Sequence, residues 1–267
     1  MNYKIGFIGA GKMATAIITG IIDAKLCESK NIFVYDISES ALNKMKTELK
    51  ITAEVSAENV LQRSDIIFFA VKPFVMRDVL SGLKGKFKEN QLVVSIAAGI
   101  STKTIEEYTA ESPVVRVMPN TPALVKEGMS AVCRGKYANE EHADIVCQIF
   151  NSLGKAIKED EKNIDAITAV SGSGPAYFYC FINEFAKAGE KYGLKKDTAL
   201  LLAAQTALGS AKMIMDTGVS PEELIKNVTT PGGCTEVGNI ILSDNKIGEI
   251  IEEVVKGTKD KAAELGK

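Results

Sequence analysis

The chain has 267 residues, a formal net charge of -2, and 46% hydrophobic against 25% charged residues. That is the balance of an ordinary soluble protein, long enough to bury one large core or two moderate ones. No long basic run occurs, which argues against a nucleic-acid surface, because phosphate binding needs clustered Lys or Arg.

The N-terminus runs from charged and polar residues directly into an expected strand, Lys4 to Ile8. It lacks the apolar core and cleavage region of a signal peptide. No apolar run approaches the roughly 20 residues of a membrane span, so the expected location is cytoplasmic, with no membrane partner. Gly9 to Gly11 reads as a turn and Lys12 to about Cys27 as a helix. Ile32 to Tyr35 is a second strand, followed by a helix from Ser38 or Glu39 to about Lys50. Ile51 to Val55 is a short strand, and Ser56 starts a short helix. Ile66 to Val71 is the most apolar strand, Pro73 to Leu83 a helix, Leu92 to Ile96 a strand and Thr102 to Tyr108 a helix. Val114 to Met118, Ser130 to Cys133 and Lys155 to Lys158 read as strands, with a helix over Glu140 to Leu153. Apolar strand runs alternating with helical periods predict an α/β fold: a Rossmann-like, mostly parallel sheet covered on both faces.

The pattern changes near Lys162, after which no strand is expected. Ile164 to Tyr192 is long and apolar, with Ser171-Gly172-Ser173-Gly174-Pro175 set in it. Asp197 is expected to cap a helix reaching Thr217. Ser220-Pro221-Glu222-Glu223 combines an N-cap Ser, Pro at the first position and Glu at the third, a strong helix start. Residues 1–160 are therefore expected to form a dinucleotide-binding domain, and 161–267 an all-helical substrate-binding and dimerisation domain. Leu200 to Ala204 with Ala207 and Leu208 leaves little polar face. A helix apolar all round needs burial, and a domain of that size cannot easily surround it alone. A homodimer is expected.

Gly9-Ala10-Gly11-Lys12-Met13-Ala14 is a GxGxxA motif between strand and helix. The first Gly makes the turn, the second admits a pyrophosphate to the backbone, and Ala14 allows close helix packing. The helix start supplies N–H groups and a favourable dipole. Asp36 ends the second strand, where a carboxylate accepts from ribose hydroxyls and repels a 2′-phosphate; this leans toward NAD over NADP. Ala70-Val71-Lys72-Pro73, Ala97-Ala98-Gly99 and Met118-Pro119-Asn120 end successive strands, where an open parallel sheet holds its ligand.

The only histidine, His142, reads as surface at a helix start, and no Cys/His cluster supports a metal site. The five cysteines, Cys27, Cys133, Cys147, Cys180 and Cys234, form no CxxC pair and read as free thiols of a reducing compartment. Hydride transfer to a ketone usually wants a strong proton donor, whereas reduction of a C=N bond leaves an amine that protonates readily and asks mainly for orientation. The residues suit the second case. Thr229-Thr230-Pro231-Gly232-Gly233-Cys234-Thr235 interrupts helical sequence with hydroxyls and backbone donors fit for a small anion.

Together with Ser171 to Tyr177, Gly9 to Ala14, Ala70 to Pro73 and Met118 to Pro122, that turn resembles the pyrroline-5-carboxylate reductases, and the matching pieces span nearly the whole chain. The resemblance implies reduction of a cyclic imine, 1-pyrroline-5-carboxylate, to L-proline with NADPH or NADH. It implies a helical domain interlocked with its twin, and rings of dimers up to a decamer. By motif, Thr235 resembles the residue that hydrogen-bonds the imine nitrogen. Thr230 and the backbone of Gly232, Gly233 and Cys234 resemble a carboxylate cradle, Asn227 a substrate contact, and Asn59 and Lys72 dinucleotide contacts. The family usually places Ala or Thr where Cys234 stands, and its NADP-preferring members a neutral residue in place of Asp36. The rival class, β-hydroxyacid dehydrogenases, would need a Lys where Phe178 and Tyr179 stand; Asn183 is present, but Lys187 comes too late. A catalytically silent dinucleotide-binding protein would have no use for the hydroxyl turn.

Overall fold

The strands are β1 (Ile5–Ile8), β2 (Ile32–Tyr35), β3 (Thr52–Ala53), β4 (Ile66–Phe69), β5 (Leu92–Ser95), β6 (Val114–Met118), β7 (Gly128–Arg134) and β8 (Gly154–Lys158), of which β1, β2 and β4 are unbroken apolar runs. The computed structural model, which describes residues 3–266, joins them in one eight-stranded sheet of order β3-β2-β1-β4-β5-β6-β7-β8. Every pairing is parallel except β6 with β7. Alternate residues feed two cores. Phe7, Val34, Phe68 and Val94 lie on one face beneath α1 (Lys12–Asp23), α2 (Glu39–Leu49) and α6 (Glu140–Asn151). Ile8, Ile67, Phe69 and Val93 lie on the other beneath α3 (Ala57–Arg63), α4 (Pro73–Leu83) and α5 (Thr102–Thr109). Burial on both faces explains the unbroken apolar strands. The order reverses at β1, which places the ligand crevice at the carboxyl ends of β1 and its neighbours.

α1 is shorter than its apolar pattern. It stops at Asp23 because Lys25 takes a left-handed φ of 56°. The amides of Leu26 and Lys25 then bond back to Ile21 and Ile22, the pairing of a Schellman ending with Lys where Gly is usual. The expected strand over Ile51 to Val55 shrinks to the two residues of β3.

No strand follows β8 among the described residues. Instead come α7 (Ile164–Ile167), a π-helical turn (Thr168–Gly172), α8 (Gly174–Lys191), α9 (Lys196–Thr217), α10 (Pro221–Val228), α11 (Cys234–Asp244) and α12 (Ile247–Leu265). Lys195, not Asp197, holds the N-cap of α9; Asp197 sits inside the first turn, where its charge favours the helix dipole. Ser220 caps α10 as its sequence requires, accepting from the Glu223 amide.

The chain divides into two compact units, one running to Ser173 and resumed from Thr258, the other Gly174–Gly257. The division falls after the expected position near 160. Glu161 accepts from the Thr102 amide and hydroxyl at 2.9 and 2.5 Å and pairs with buried Arg116 at 2.9 Å. Ile164 packs with Ala131 and Cys133. These contacts keep the segment on the sheet unit. At the far end Leu265 returns to the same unit: its carbonyl lies 2.8 Å from where a Cβ on Gly99 would stand.

The second unit has little interior of its own. Ala186 and Ala199 are buried, whereas α10, α11 and α12 bury no residue. Phe181, Phe185, Leu202, Ala203 and Ala207 line a cavity of about 420 Å³ between α8 and α9. α9, expected as the apolar dimer helix, is also long and apolar enough to cross a membrane by length and composition, against the expectation that no run approaches that length.

Candidate active site

The residues expected to hold a dinucleotide gather along one edge of the sheet. Gly9 to Met13 follow β1, Asp36 follows β2, Asn59 lies in the first turn of α3, Ala70 to Pro73 follow β4, and Ala97 to Gly99 follow β5. Gly9 has φ +110°, and a Cβ there would stand 2.6 Å from the Ala70 carbonyl oxygen, so no other residue fits. A Cβ on Gly11 would meet nothing within 4 Å. Gly11 is the N-cap of α1 and offers no side-chain cap, leaving the first amides of α1 facing open space. A pyrophosphate fits that arrangement. Lys12 and Lys72 are exposed cations on the same edge.

Asp36 does structural work there. Its Oδ2 accepts the Ala10 amide at 2.6 Å and its Oδ1 the Ser38 amide at 2.8 Å. The carboxylate thus ties the glycine turn to the end of β2, with lone pairs left for a ribose. Two of the expected residues already have partners within the protein. The Ala97 amide donates to the Ser95 hydroxyl. Asn120, buried after β6, accepts the Met129 amide at 2.9 Å and donates to the Ser171 carbonyl at 3.2 Å. It therefore fixes the π-helical turn, where the Ser171 hydroxyl is buried without a partner. Sequence reasoning also missed Ile37, Val55 and Phe74, which stand 88%, 84% and 82% exposed just beyond β2, β3 and β4. The signal was available: apolar side chains continuing past strand ends.

The substrate-side candidates lie in the second unit. The Gly233 amide donates to the Thr230 carbonyl at 2.9 Å. With Pro231 second and Gly232 third at φ +72°, this is the signature of a type II turn. Thr229 stiffens its approach, donating to the Ile225 carbonyl at 2.6 Å and accepting from Asn239 at 2.9 Å. Asn227 is exposed near the end of α10. Of the three backbone donors expected to cradle a carboxylate, Gly233 closes the turn and Gly232 donates to Glu236 Oε2 at 2.7 Å. Cys234, the first residue of α11, keeps its amide at a helix start whose N-cap, Gly233, has no side chain to offer. Thr235 is not that helix's cap and lies within its first turn.

Several other nucleophiles and bases are disarmed. Burial and the nearby Glu161 carboxylate push the Cys133 thiol up to about 12, and burial raises Cys27 and Cys147. The five cysteines are free, with Cys180 and Cys234 exposed. His142 is spent in a helix cap. Lys187 hydrogen-bonds Glu184 at 2.7 Å, which holds it above the ordinary lysine range, the wrong direction for a lysine base. Among the described residues no group of three or more His, Cys, Asp or Glu could hold a metal.

Residues 161–265 match the family described as pyrroline-5-carboxylate reductase dimerisation, and residues 4–99 match that described as NADP oxidoreductase, coenzyme F420-dependent. The first match spans α9, so its apolar surface belongs to a dimerisation domain. The pyrroline-5-carboxylate reductase of Methanosarcina acetivorans is 40% identical over 267 residues, covering 100% of this chain and 99% of that protein. That of Arabidopsis thaliana is 40% identical over 237 residues, 89% of this chain and 86% of the relative. Among solved structures, the Coxiella burnetii pyrroline-5-carboxylate reductase superposes with a TM-score of 0.94 at 32% identity, covering 100% of both chains. The Plasmodium falciparum pyrroline carboxylate reductase, solved with NADP bound, gives 0.88 at 34% identity, over 100% of this chain and 99% of that one. A glycine turn open to a pyrophosphate, a hydroxyl-rich type II turn at an uncapped helix start, and full-length likeness at 40% identity together establish that this chain belongs to the pyrroline-5-carboxylate reductase family.

Proposed function

We propose that this chain reduces 1-pyrroline-5-carboxylate to L-proline with a reduced nicotinamide dinucleotide. The observation that carries the reading is the Thr230–Thr235 turn, which puts an uncapped helix start beside hydroxyls in a segment free of any acid–base constellation. Residues 1–160 do the dinucleotide work, and 161–267 substrate binding and dimerisation. The bound dinucleotide supplies the hydride that the imine carbon receives. Thr235 orients the imine nitrogen, and the proton that nitrogen gains reaches it through the Thr235 hydroxyl or a water held there, since a threonine hydroxyl is a weak acid alone. Thr230 and the backbone of Gly232 to Cys234 hold the substrate carboxylate, with Asn227 at the rim. Gly11, Lys12 and Lys72 hold the pyrophosphate and ribose, with Asn59 beside them, and Ile37 and Val55 give an apolar bed for the adenine.

NADH is the preferred reductant in this reading, because the Asp36 carboxylate, fixed by Ala10 and Ser38, repels a 2′-phosphate. The dimer assembles further into a decamer, and the free cysteines suit the cytoplasm. The test is formation of L-proline from the imine with each reduced nicotinamide, beside a hydroxyacid panel run in the oxidative direction. Proline formation with NADH ahead of NADPH is expected; turnover of a hydroxyacid and none of the imine would overturn the assignment.

A further inference from the structure

Glu236 is the third residue of α11, and its carboxylate reaches back past the N-cap to the Gly232 amide at 2.7 Å. Glu at this position of a helix ordinarily returns to the N-cap amide. Here the Gly233 amide is engaged with the Thr230 carbonyl at 2.9 Å, so the side chain takes the next amide outward, at the tip of the turn. The tip is open: a Cβ on Gly232, whose φ is +72°, would meet nothing within 4 Å. A carboxylate is thus already seated on the turn that, in the reading above, receives the carboxylate of the substrate.

The geometry points to Glu236 as an internal competitor, a specificity-determining residue that occupies the Gly232 amide in the free enzyme and is displaced when the substrate's carboxylate arrives. The inference rests on the reading that this turn cradles that carboxylate. Two carboxylates at one helix start repel, and both want the same few donors. A hydrogen bond to a charged group is stronger than one to a neutral group, so the free enzyme gives up something to let the substrate in. Glu236 touches no reacting atom. Its effect falls on how tightly anions are held.

Glu236→Gln keeps an acceptor for the Gly232 amide and removes the charge. Its KM for 1-pyrroline-5-carboxylate should fall about three- to tenfold, in line with exchanging a charged hydrogen bond for a neutral one. The inhibition constant of L-proline should fall with it, and the gain should shrink as ionic strength rises. Cys234→Pro tests the underlying reading separately. Pro is tolerated at the first position of a helix, and Gly233 already has the extended backbone, φ -89° and ψ 170°, that a residue before Pro requires. The substitution deletes one donor and should raise KM. If Cys234→Pro raises KM while Glu236→Gln leaves KM and the proline constant unchanged, the competitor is overturned and the cradle stands. If neither moves KM, cradle and competitor fall together.

Discussion

Thr235 and Asp36 illustrate how single side chains divide the work. Thr235 is neither the cap of α11 nor buried, so a purely structural role for its hydroxyl has lost its main support. Thr235→Ala should lower kcat/KM for the imine by about ten- to a thousandfold, the span for losing a positioned hydrogen-bonding or proton-transfer group. Dinucleotide affinity should stay near wild type. Steady-state kinetics beside a thermal melt check this; normal turnover with a lowered Tm would remove Thr235 from the chemistry. Asp36 is harder to interrogate because it holds both the Ala10 and Ser38 amides. Asp36→Ser shortens the reach and loosens the glycine turn for either cofactor. Asp36→Asn keeps one carbonyl acceptor and removes the charge. The kcat/KM ratio of NADPH to NADH should rise at least about tenfold in Asp36→Asn, the effect of about 1.4 kcal/mol of lost repulsion. An unchanged ratio would mean that this carboxylate serves the turn alone.

Most elements were legible because local chemistry and packing agree. β2, β6 and α4 occupy the residues that their patterns predict, and Ser38, Ser56 and Ser220 cap helices as their spacing requires. What could not be read depends on long-range contact. Lys25 ends α1 without a glycine to announce it. The π-helical turn at Thr168–Gly172 looks like continuous helix in sequence. Glu161, by its bonds to Thr102 and Arg116, keeps a segment on the sheet that composition alone assigns to the helical half. The placement of the expected dinucleotide residues at strand ends was legible because each strand end carries small residues, prolines or polar groups; the commitment of Asn120 to Met129 and Ser171 was not, because both partners are distant in sequence. The cap of α6 gives a test at this scale. Asn139 Oδ1 accepts the His142 amide at 3.0 Å, and His142 Nδ1 accepts the Asn139 amide at 3.1 Å. The ring can accept only when neutral, and burial pushes its pKa below the ordinary value of about 6.5. A base with a depressed folded pKa contributes stability that is full above about pH 6.5 and lost as pH falls through the folded value. His142→Ala should therefore cost about 1 kcal/mol at pH 8 and clearly less at pH 5. Urea melts at both pH values check this; equal losses would contradict it.

At the scale of the molecule, the second unit exposes what a core should hide. Leu201 is 67% exposed, Phe185 67% and Met215 65%, within a segment that matches a dimerisation family. The expectation is that a twin chain supplies the missing interior, so that folding and association of this unit are one process. Leu201→Glu should shift the protein from dimer to monomer at micromolar concentration and abolish activity, because an unpaired charge in such an interface costs several kcal/mol. Sedimentation velocity reads the change; an active monomer would refute it. The path of the chain carries a different consequence. The sheet unit is left at Ser173 and regained only at Thr258, with Leu265 against the Gly99 turn. During synthesis the ribosome must therefore deliver the whole helical insert before the nucleotide-binding unit receives its last piece. The unit that is begun first is therefore completed only after the insert that interrupts it.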